Sequence, residues 1–276
     1  MSRENILDRL RAGDVLVHDG ATGTELEARG VDCDSGAWSA TANLEAPDVL
    51  RAIHEDYLSA GADIITANNY CTGPSFLDRT DEGARWREYS QAGLDIAIAA
   101  RDAINRDAYV AGGMYPNGVF GQELTDRARL LADGGADLIL VEYLPSVSDC
   151  VDAAEACAEI DLPLFLGIGN LNEDGNLADG TPLETLVSAL QGHRVDGLLF
   201  MCTFPPAISK ALPRLRVSFP GFIGTYPHAG LPSNPEYTPE VLAKYAHTWK
   251  EMGAQVIGGC CGTGPSHIAA VASALR

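Results

Sequence analysis

Eight short apolar runs, each followed by a stretch of helical periodicity, constrain the fold of this chain more than any other feature. They cover residues 15–17, 64–66, 109–111, 138–141, 164–166, 198–200, 222–223 and 256–257. The runs are apolar on both faces, as expected for a parallel sheet covered by helices. Eight β/α units in about 250 residues match a (β/α)8 TIM barrel. An open, doubly wound sheet is the alternative, but no G-x-G-x-x-G motif follows the first run.

Three predicted helices begin at a proline and end at a glycine. They run from Pro47 to Gly61, from Pro182 to Gly192 and from Pro239 to Gly253. Proline is favoured in the first helical turn, and glycine just beyond the last. A helix-end glycine leads into the next strand as Gly-Ala-Asp at 61–63 and 135–137, and as Gly-Ala-Gln at 253–255. The sequence shows no linker or shift in composition, so we predict an α/β fold with one barrel domain over residues 1–276.

Polar residues follow the apolar runs, where a barrel carries its chemistry. They are Asp19, Asn68, Asn69, Glu142, Asn170, Cys202, Tyr226 and the pair Cys260 and Cys261. Because the carboxyl ends of all eight strands meet at one rim, we expect these side chains to surround a common site.

The cysteine pair lies in a glycine frame, since residues 258–262 read Gly-Gly-Cys-Cys-Gly. Neighbouring side chains on a strand point to opposite faces, so two adjacent thiols serve one centre only where the backbone leaves strand geometry. Flanking glycines allow this. With Cys202, the pair predicts a three-thiolate zinc site with an open fourth position. A core cysteine beside a tight turn stays an alternative. A redox dithiol is disfavoured, because a disulfide between sequence neighbours is strained.

Charge and cysteine usage narrow the class of protein. A net charge of -19 and a pI near 4.5 argue against binding nucleic acid or an anionic membrane surface. We find no signal-peptide pattern and no apolar stretch long enough to span a bilayer, so we expect a cytoplasmic protein. Seven cysteines, an odd number, fit cytosolic thiols better than a disulfide framework. Cys150 and Cys157 lie in a helical pattern and are predicted to be buried. The oligomeric state stays open, a homo-oligomer included.

A thiolate-rich zinc site with an open position favours thiol chemistry. Coordination deprotonates a soft thiol. A free thiol has a pKa of about 8.5 and is mostly protonated at neutral pH. Alkylation of a substrate thiol is therefore the chemistry that the pattern indicates.

Several segments of the chain resemble the homocysteine S-methyltransferase family. They are residues 19–30, residues 61–66, the strand end at Glu142, the pair Tyr226-Pro227 and, above all, residues 258–268. The resemblance implies a TIM barrel whose zinc is held by Cys202, Cys260 and Cys261. It also implies that homocysteine sulfur takes the open position and attacks an activated methyl group, which gives methionine.

The resemblance further implies a set of substrate-binding residues. Asp19 and Glu142 would hold the amino group of the substrate, and the backbone amides around Gly20, Ala21 and Thr22 are placed to receive a carboxylate. Asn68, Tyr115 and Tyr226 complete the predicted set.

The methyl donor is expected to be a small onium compound, because 276 residues leave no room for the extra domains of folate- or cobalamin-using relatives. The candidates are S-methylmethionine, S-adenosylmethionine and betaine. Rim tyrosines are candidates for holding the donor cation by cation–π contact, namely Tyr70, Tyr115, Tyr143 and Tyr226.

The chain departs from the family pattern around the pocket. Met201 and His228 stand where the family usually has Asn, Tyr143 stands where Thr is common, and Tyr115 lies in an altered segment at 112–118. These departures leave open a methyltransferase or demethylase with the same zinc–thiolate chemistry but another donor or thiol acceptor. A zinc hydrolase using Glu142 or His228 as general base, and a non-catalytic zinc or redox protein, are the remaining alternatives.

Overall fold

Eight parallel strands form the centre of the computed structural model, which describes residues 3–230 and 237–276. The strands lie side by side in the order β1-β8-β7-β6-β5-β4-β3-β2. Their bounds are β1 Leu16–Val17, β2 Ile64–Thr66, β3 Tyr109–Met114, β4 Leu138–Leu144, β5 Leu164–Gly169, β6 Gly197–Met201, β7 Phe222–Tyr226 and β8 Val256–Ile257. Each strand overlaps one of the eight predicted runs.

Backbone hydrogen bonds join the first strand to the second and close the ring. Asp63 N donates to Val17 O at 2.7 Å, and Asp19 N donates to Ile64 O at 2.9 Å. An isolated parallel bridge between His18 and Ile64 lies at the same place. The predicted TIM barrel is therefore confirmed, and the open-sheet alternative is wrong.

One helix precedes β1, and the other helices follow the strands and surround the barrel. Their bounds are α1 Ile6–Arg11, α2 Thr22–Ala28, α3 Ala42–Glu45, α4 Pro47–Ser59, α5 Pro74–Leu77, α6 Trp86–Ile104, α7 Gln122–Asp133, α8 Val147–Ala156, α9 Leu183–Ala189, α10 Pro205–Ser218, α11 Pro239–Glu251 and α12 Pro265–Leu275. Short 3-10 turns cover Trp38–Thr41, Asp78–Thr80 and Gly83–Arg85. The predicted starts of α4 and α11 are confirmed. Pro182 precedes α9 by one residue, because its ψ of 143° is extended.

Side chains alternate between the barrel interior and the helix layer. Leu16 packs in the interior cluster with Tyr109 and Phe165, whereas Val17 packs under the helices. Cys150 and Cys157 are fully buried, as predicted. No helix within the described ranges is both long and apolar enough to cross a membrane.

An aspartate stands directly before each of β2, β4 and β6 and ties it to the preceding strand. Asp63, Asp137 and Asp196 accept the backbone N–H of Val17, Val110 and Leu164, at 2.9, 2.8 and 2.9 Å. Each carboxylate thus satisfies a strand N–H that the barrel ladder leaves unpaired. This contact explains the recurring Gly-Ala-Asp joint of the sequence, and Asp196 extends it to a third strand.

Removing one of these carboxylates should destabilise the barrel measurably. We expect Asp196→Ala to lower the free energy of unfolding by about 1–3 kcal/mol, because the buried Leu164 N–H loses a charged acceptor. Asp196→Asn keeps an acceptor oxygen and should cost less. Denaturant unfolding measures both. The control is Asp161→Ala, at an exposed position nearby, with an expected change within about 0.5 kcal/mol. Equal effects at the two positions would contradict the assigned role.

Candidate functional site

A cavity of about 210 Å³ opens at the carboxyl ends of the strands, where the barrel predicts the site. The residues predicted to lie at the site all line this cavity except Asn69, Tyr115 and Asn170. The lining consists of His18, Asp19, Gly20, Ala21, Thr22, Gly23, Thr24, Trp38, Ser39, Thr66, Ala67, Asn68, Tyr70, Glu142, Tyr143, Met201, Cys202, Tyr226, Gly259, Cys260 and Cys261.

Three thiols meet on one side of the cavity. Cys202 follows β6, and Cys260 and Cys261 follow β8; their sulfur atoms all lie within 4.8 Å of one another. Cys261 Sγ is 3.7 Å from Cys202 Sγ and 3.9 Å from Cys260 Sγ. Cys202 has a φ of 50°, in the left-handed region, so the backbone turns sharply as it leaves β6. This turn brings the lone upstream thiol to the pair.

Glycines beside the cysteine pair are required by close packing. A Cβ at Gly258 would lie 2.5 Å from His18 O, because β8 passes directly beside the end of β1. Gly262 has a φ of 80°, and a Cβ there would lie 1.8 Å from Gly230 O. The backbone can therefore turn at the pair and present both thiols to one side, as the glycine frame predicted.

The thiol cluster stabilises one thiolate, that of Cys261. Hydrogen bonds from the thiols of Cys202 and Cys260, and then from His228, hold the pKa of Cys261 far below its ordinary value. His228 Nδ1 lies 3.9 Å from Cys202 Sγ. A thiolate flanked by two further sulfur atoms is a donor set that matches a borderline-soft cation such as Zn²⁺.

Two buried carboxyl groups line the same cavity as the sulfur atoms. Asp19 is 1 % exposed, and its Oδ2 accepts the N–H of Thr66 at 2.8 Å. Burial, and after it the charge of Cys261, raises the pKa of Glu142 to about 8. Burial raises the pKa of Asp19 well above its usual range, and the charge of Glu142 adds to this effect. The pair is therefore costly to ionise until a cation arrives.

Glycines on two strands leave room for the polar side chains of the cavity. A Cβ at Gly113 on β3 would lie 2.6 Å from Glu142 Oε1 and 2.3 Å from Thr66 Cγ2. On β5, a Cβ at Gly167 would lie 2.3 Å from the hydroxyl oxygen of Tyr226. Glu142 and Tyr226 can extend into the barrel interior only because these two strand positions are glycine.

An aromatic group forms another wall. Tyr70 lines the cavity and stacks on Tyr115, with ring centroids 4.9 Å apart and 18° between planes. Tyr143 meets Tyr115 edge-on at 5.8 Å, and Trp38 meets Tyr70 edge-on at 6.0 Å. Tyr115 thus lies behind Tyr70 rather than in the cavity lining. The side-chain amide of Asn170 donates to the Tyr143 hydroxyl.

Two of the predicted substrate-binding groups already form hydrogen bonds within the protein. The Asn68 amide donates to Ser39 O and to Asn43 Oδ1, both at 2.8 Å, and its oxygen accepts from Ser39 Oγ. The N–H of Ala21 donates to Thr263 O at 3.1 Å. Asn68 therefore fixes the segment that carries Trp38, and the Ala21 amide is not available to a carboxylate.

Sequence reasoning missed His18, Trp38 and Arg127. His18 follows Leu16 by two residues, so strand alternation would have placed it in the barrel interior. Trp38 has a φ of 47° in a 3-10 turn, which no local pattern announces. Arg127 of α7 is 2 % exposed and donates to Tyr115 O at 2.8 Å and Asn69 O at 3.2 Å. An arginine on a helix is ordinarily exposed, so the sequence does not predict that Arg127 is buried beside the site.

Comparisons with known proteins agree with this geometry. The family model described as homocysteine S-methyltransferase matches residues 16–275. The homocysteine S-methyltransferase of Escherichia coli (strain K12) is 32% identical, over 98% of this chain and 99% of that protein. Homocysteine S-methyltransferase YbgG of Bacillus subtilis (strain 168) is 31% identical, over 95% of both chains.

A solved structure shows the same architecture. The metallated form of the homocysteine methyltransferase MmuM from Escherichia coli superposes with a TM-score of 0.82 and 30% sequence identity. The match covers 96% of this chain and 98% of that one. The chain belongs to the homocysteine S-methyltransferase family.

Proposed function

We propose that this protein transfers a methyl group from a small onium donor to the thiol of homocysteine and so forms methionine. The donor candidates are S-methylmethionine, S-adenosylmethionine and betaine. The observation that carries the proposal is the convergence of three thiols and two buried carboxylates on one cavity in a member of this family. The named relatives are homocysteine S-methyltransferases over essentially the full length of the chain.

We propose zinc as the cofactor, held by Cys202, Cys260 and Cys261. The donor set supports this, because three thiolates leave a fourth position for a substrate, as in catalytic zinc sites. When bound, zinc lowers the pKa of a coordinated thiol, so that a thiolate is available at neutral pH. A metallated form of the related MmuM also supports the assignment. Thiols that must stay reduced to bind metal fit a cytoplasmic location.

Asp19 and Glu142 are the proposed receptors for the ammonium group of homocysteine. Burial raises the pKa of both carboxyl groups, because no cation among the described residues offsets the cost of ionising them. An ammonium group placed between them would supply that cation and favour ionisation of both carboxyls. Binding the amino group at these two carboxyl groups, in the same cavity as the thiols, would orient the substrate sulfur toward the proposed zinc site.

Tyr70 and Tyr143 are the proposed contacts of the donor cation, because both line the cavity. Tyr115 and Arg127 support Tyr70 from behind. In the transfer a sulfur–carbon bond forms as the donor's bond to the same carbon breaks, and the donor leaves as a neutral molecule with the electron pair. A neutral leaving group needs no proton, so the residues around it act through proximity and in-line alignment.

The decisive experiment is methyl transfer by the zinc-loaded protein. We expect methionine to form from homocysteine with at least one of the three onium donors, as measured by mass spectrometry with a methyl-labelled donor. Reactions without protein are the control. If none of the three donors gives methionine while a different thiol is methylated, the acceptor assignment is wrong and the same chemistry serves another substrate.

Removing one sulfur should remove the metal. We expect Cys260→Ser to weaken zinc binding by more than about 100-fold, since even residues that only orient metal ligands cost 10–100-fold. Methyl transfer should be lost with the fold retained, as judged by zinc content and circular dichroism. Cys33→Ser, at a buried cysteine outside the cluster, is the matched control and should keep its zinc. Full zinc occupancy in Cys260→Ser would refute the ligand set.

Buried Glu142 should make the metal-free protein less stable at high pH. Its pKa of about 8 in the folded state lies above the unfolded value. Its stabilising contribution is therefore complete below the unfolded pKa and is lost as pH rises through about 8. We expect the free energy of unfolding to fall between pH 5 and pH 9 by about 2–4 kcal/mol more in the wild type than in Glu142→Gln.

Denaturant unfolding across this pH range measures the difference between the two slopes. Glu159→Gln, at an exposed position, should keep the wild-type slope. Parallel pH profiles for the wild type and Glu142→Gln would show that Glu142 ionises normally in the folded protein.

A further inference from the structure

His18 is a buried imidazole in the cavity wall to which neither the motif nor the proposed mechanism gives a role. It directly follows β1 and is 4 % exposed. Its ring packs against Tyr226, with centroids 5.1 Å apart and 53° between planes. Burial lowers its pKa to about 4, so the ring is neutral in the free protein.

One ring nitrogen of His18 forms a hydrogen bond with Thr66, which also lines the cavity. His18 Nε2 lies 2.8 Å from Thr66 Oγ1. The backbone N–H of Thr66 also donates to Asp19 Oδ2 at 2.8 Å, so Thr66 contacts both His18 and the carboxyl group. The Thr66 hydroxyl can accept a hydrogen bond from Nε2–H. The neutral ring then carries its proton on Nε2 and a lone pair on Nδ1.

The Nδ1 lone pair lies near Oδ1 of Asp19, the carboxyl oxygen that does not accept the Thr66 N–H. His18 Nδ1 lies 3.4 Å from Asp19 Oδ1. Both atoms are buried, and neither has a hydrogen-bond partner among the described residues. Burial raises the pKa of Asp19 and so favours the protonated carboxyl group in the free protein. Once Asp19 is ionised, Oδ1 and Nδ1 are two buried acceptors that repel each other and lack a donor, which is costly. Glu142 adds a third acceptor group, since its charge acts on Asp19 within the same cavity.

We propose that His18 Nδ1 is a third acceptor for the primary ammonium group of the substrate, beside the carboxylates of Asp19 and Glu142. A primary ammonium carries three N–H donors, which matches three acceptor groups from three different residues. His18 would thus select thiols that carry a free amino group over thiols that lack one. This inference rests on the proposed function, because it takes the substrate to be an amino-acid thiol.

The selectivity follows from what each ligand leaves unsatisfied. A thiol without an amino group leaves Nδ1 and Asp19 Oδ1 facing each other, as in the free protein. A site built from buried polar groups discriminates strongly against an analogue that lacks the matching donor. The Thr66 contact fixes the ring orientation, so the acceptor is in place before the substrate arrives.

The test compares two ligands on three proteins. The ligands are homocysteine and 4-sulfanylbutanoate, which is the same thiol acid without the amino group. The proteins are the zinc-loaded wild type, His18→Phe, which keeps a ring against Tyr226 without nitrogen, and His18→Asn, which keeps a polar acceptor near the position of Nδ1. Calorimetry gives the dissociation constants, and metal analysis confirms equal zinc content.

We expect His18→Phe to weaken homocysteine binding about 10- to 100-fold, as for loss of one hydrogen bond to a charged group. Binding of 4-sulfanylbutanoate should change less than about threefold, and His18→Asn should recover part of the homocysteine affinity. Equal losses for both ligands would reduce His18 to a packing residue and overturn the inference. Unchanged homocysteine binding in His18→Phe would overturn it as well.

The wild-type protein separates this inference from the proposed function. If the wild type binds both ligands equally well, the cavity does not bind an ammonium group and the inference fails. Methionine formation by the same protein would still support the methyltransferase proposal. If His18→Phe loses only homocysteine affinity while the wild type transfers no methyl group, the ammonium acceptor stands and the proposed reaction fails.

Discussion

The backbone that leaves β7 holds the site together, because it is hydrogen-bonded on both sides to the segments that carry the thiols. Cys202 N donates to Tyr226 O at 3.0 Å, and Cys260 N donates to Pro227 O at 2.8 Å. The thiols that follow β6 and β8 are thereby held by β7, the strand that lies between these two in the barrel. The three sulfur atoms meet without a disulfide or a long loop, so the barrel itself supplies the precision that a metal centre needs.

Local pattern predicted the barrel well because the relevant information is local. Apolar runs on both faces and a terminal proline or glycine act within a few residues, so all eight strands and the starts of α4 and α11 were predicted. The cysteine pair was also readable, since its glycines report a turn. Pro182 shows the limit of this approach, because an extended backbone moved the start of α9 by one residue.

The details of the cavity depend on contacts between distant segments, which local pattern does not contain. Tyr115 was predicted to bind substrate but stacks behind Tyr70, because Arg127 of α7 holds the backbone of both loops. Asn68 lines the cavity, yet its amide is used by Ser39 and Asn43. A polar residue at a strand end is thus readily predicted to lie at the rim, whereas the direction of its hydrogen bonds is not.

Charge explains why thiols and carboxylates occupy one small, buried cavity. Burial, and after it the charge of Cys261, makes Glu142 costly to ionise, and burial together with the charge of Glu142 does the same for Asp19. The two proposed ligands are both cations at the relevant group, an ammonium and an onium, and each relieves that cost on binding. The proposed transfer would combine a sulfur anion with an onium cation, so that both reacting atoms lose their charge. A water-poor site favours such loss of charge, since water no longer stabilises the separated ions.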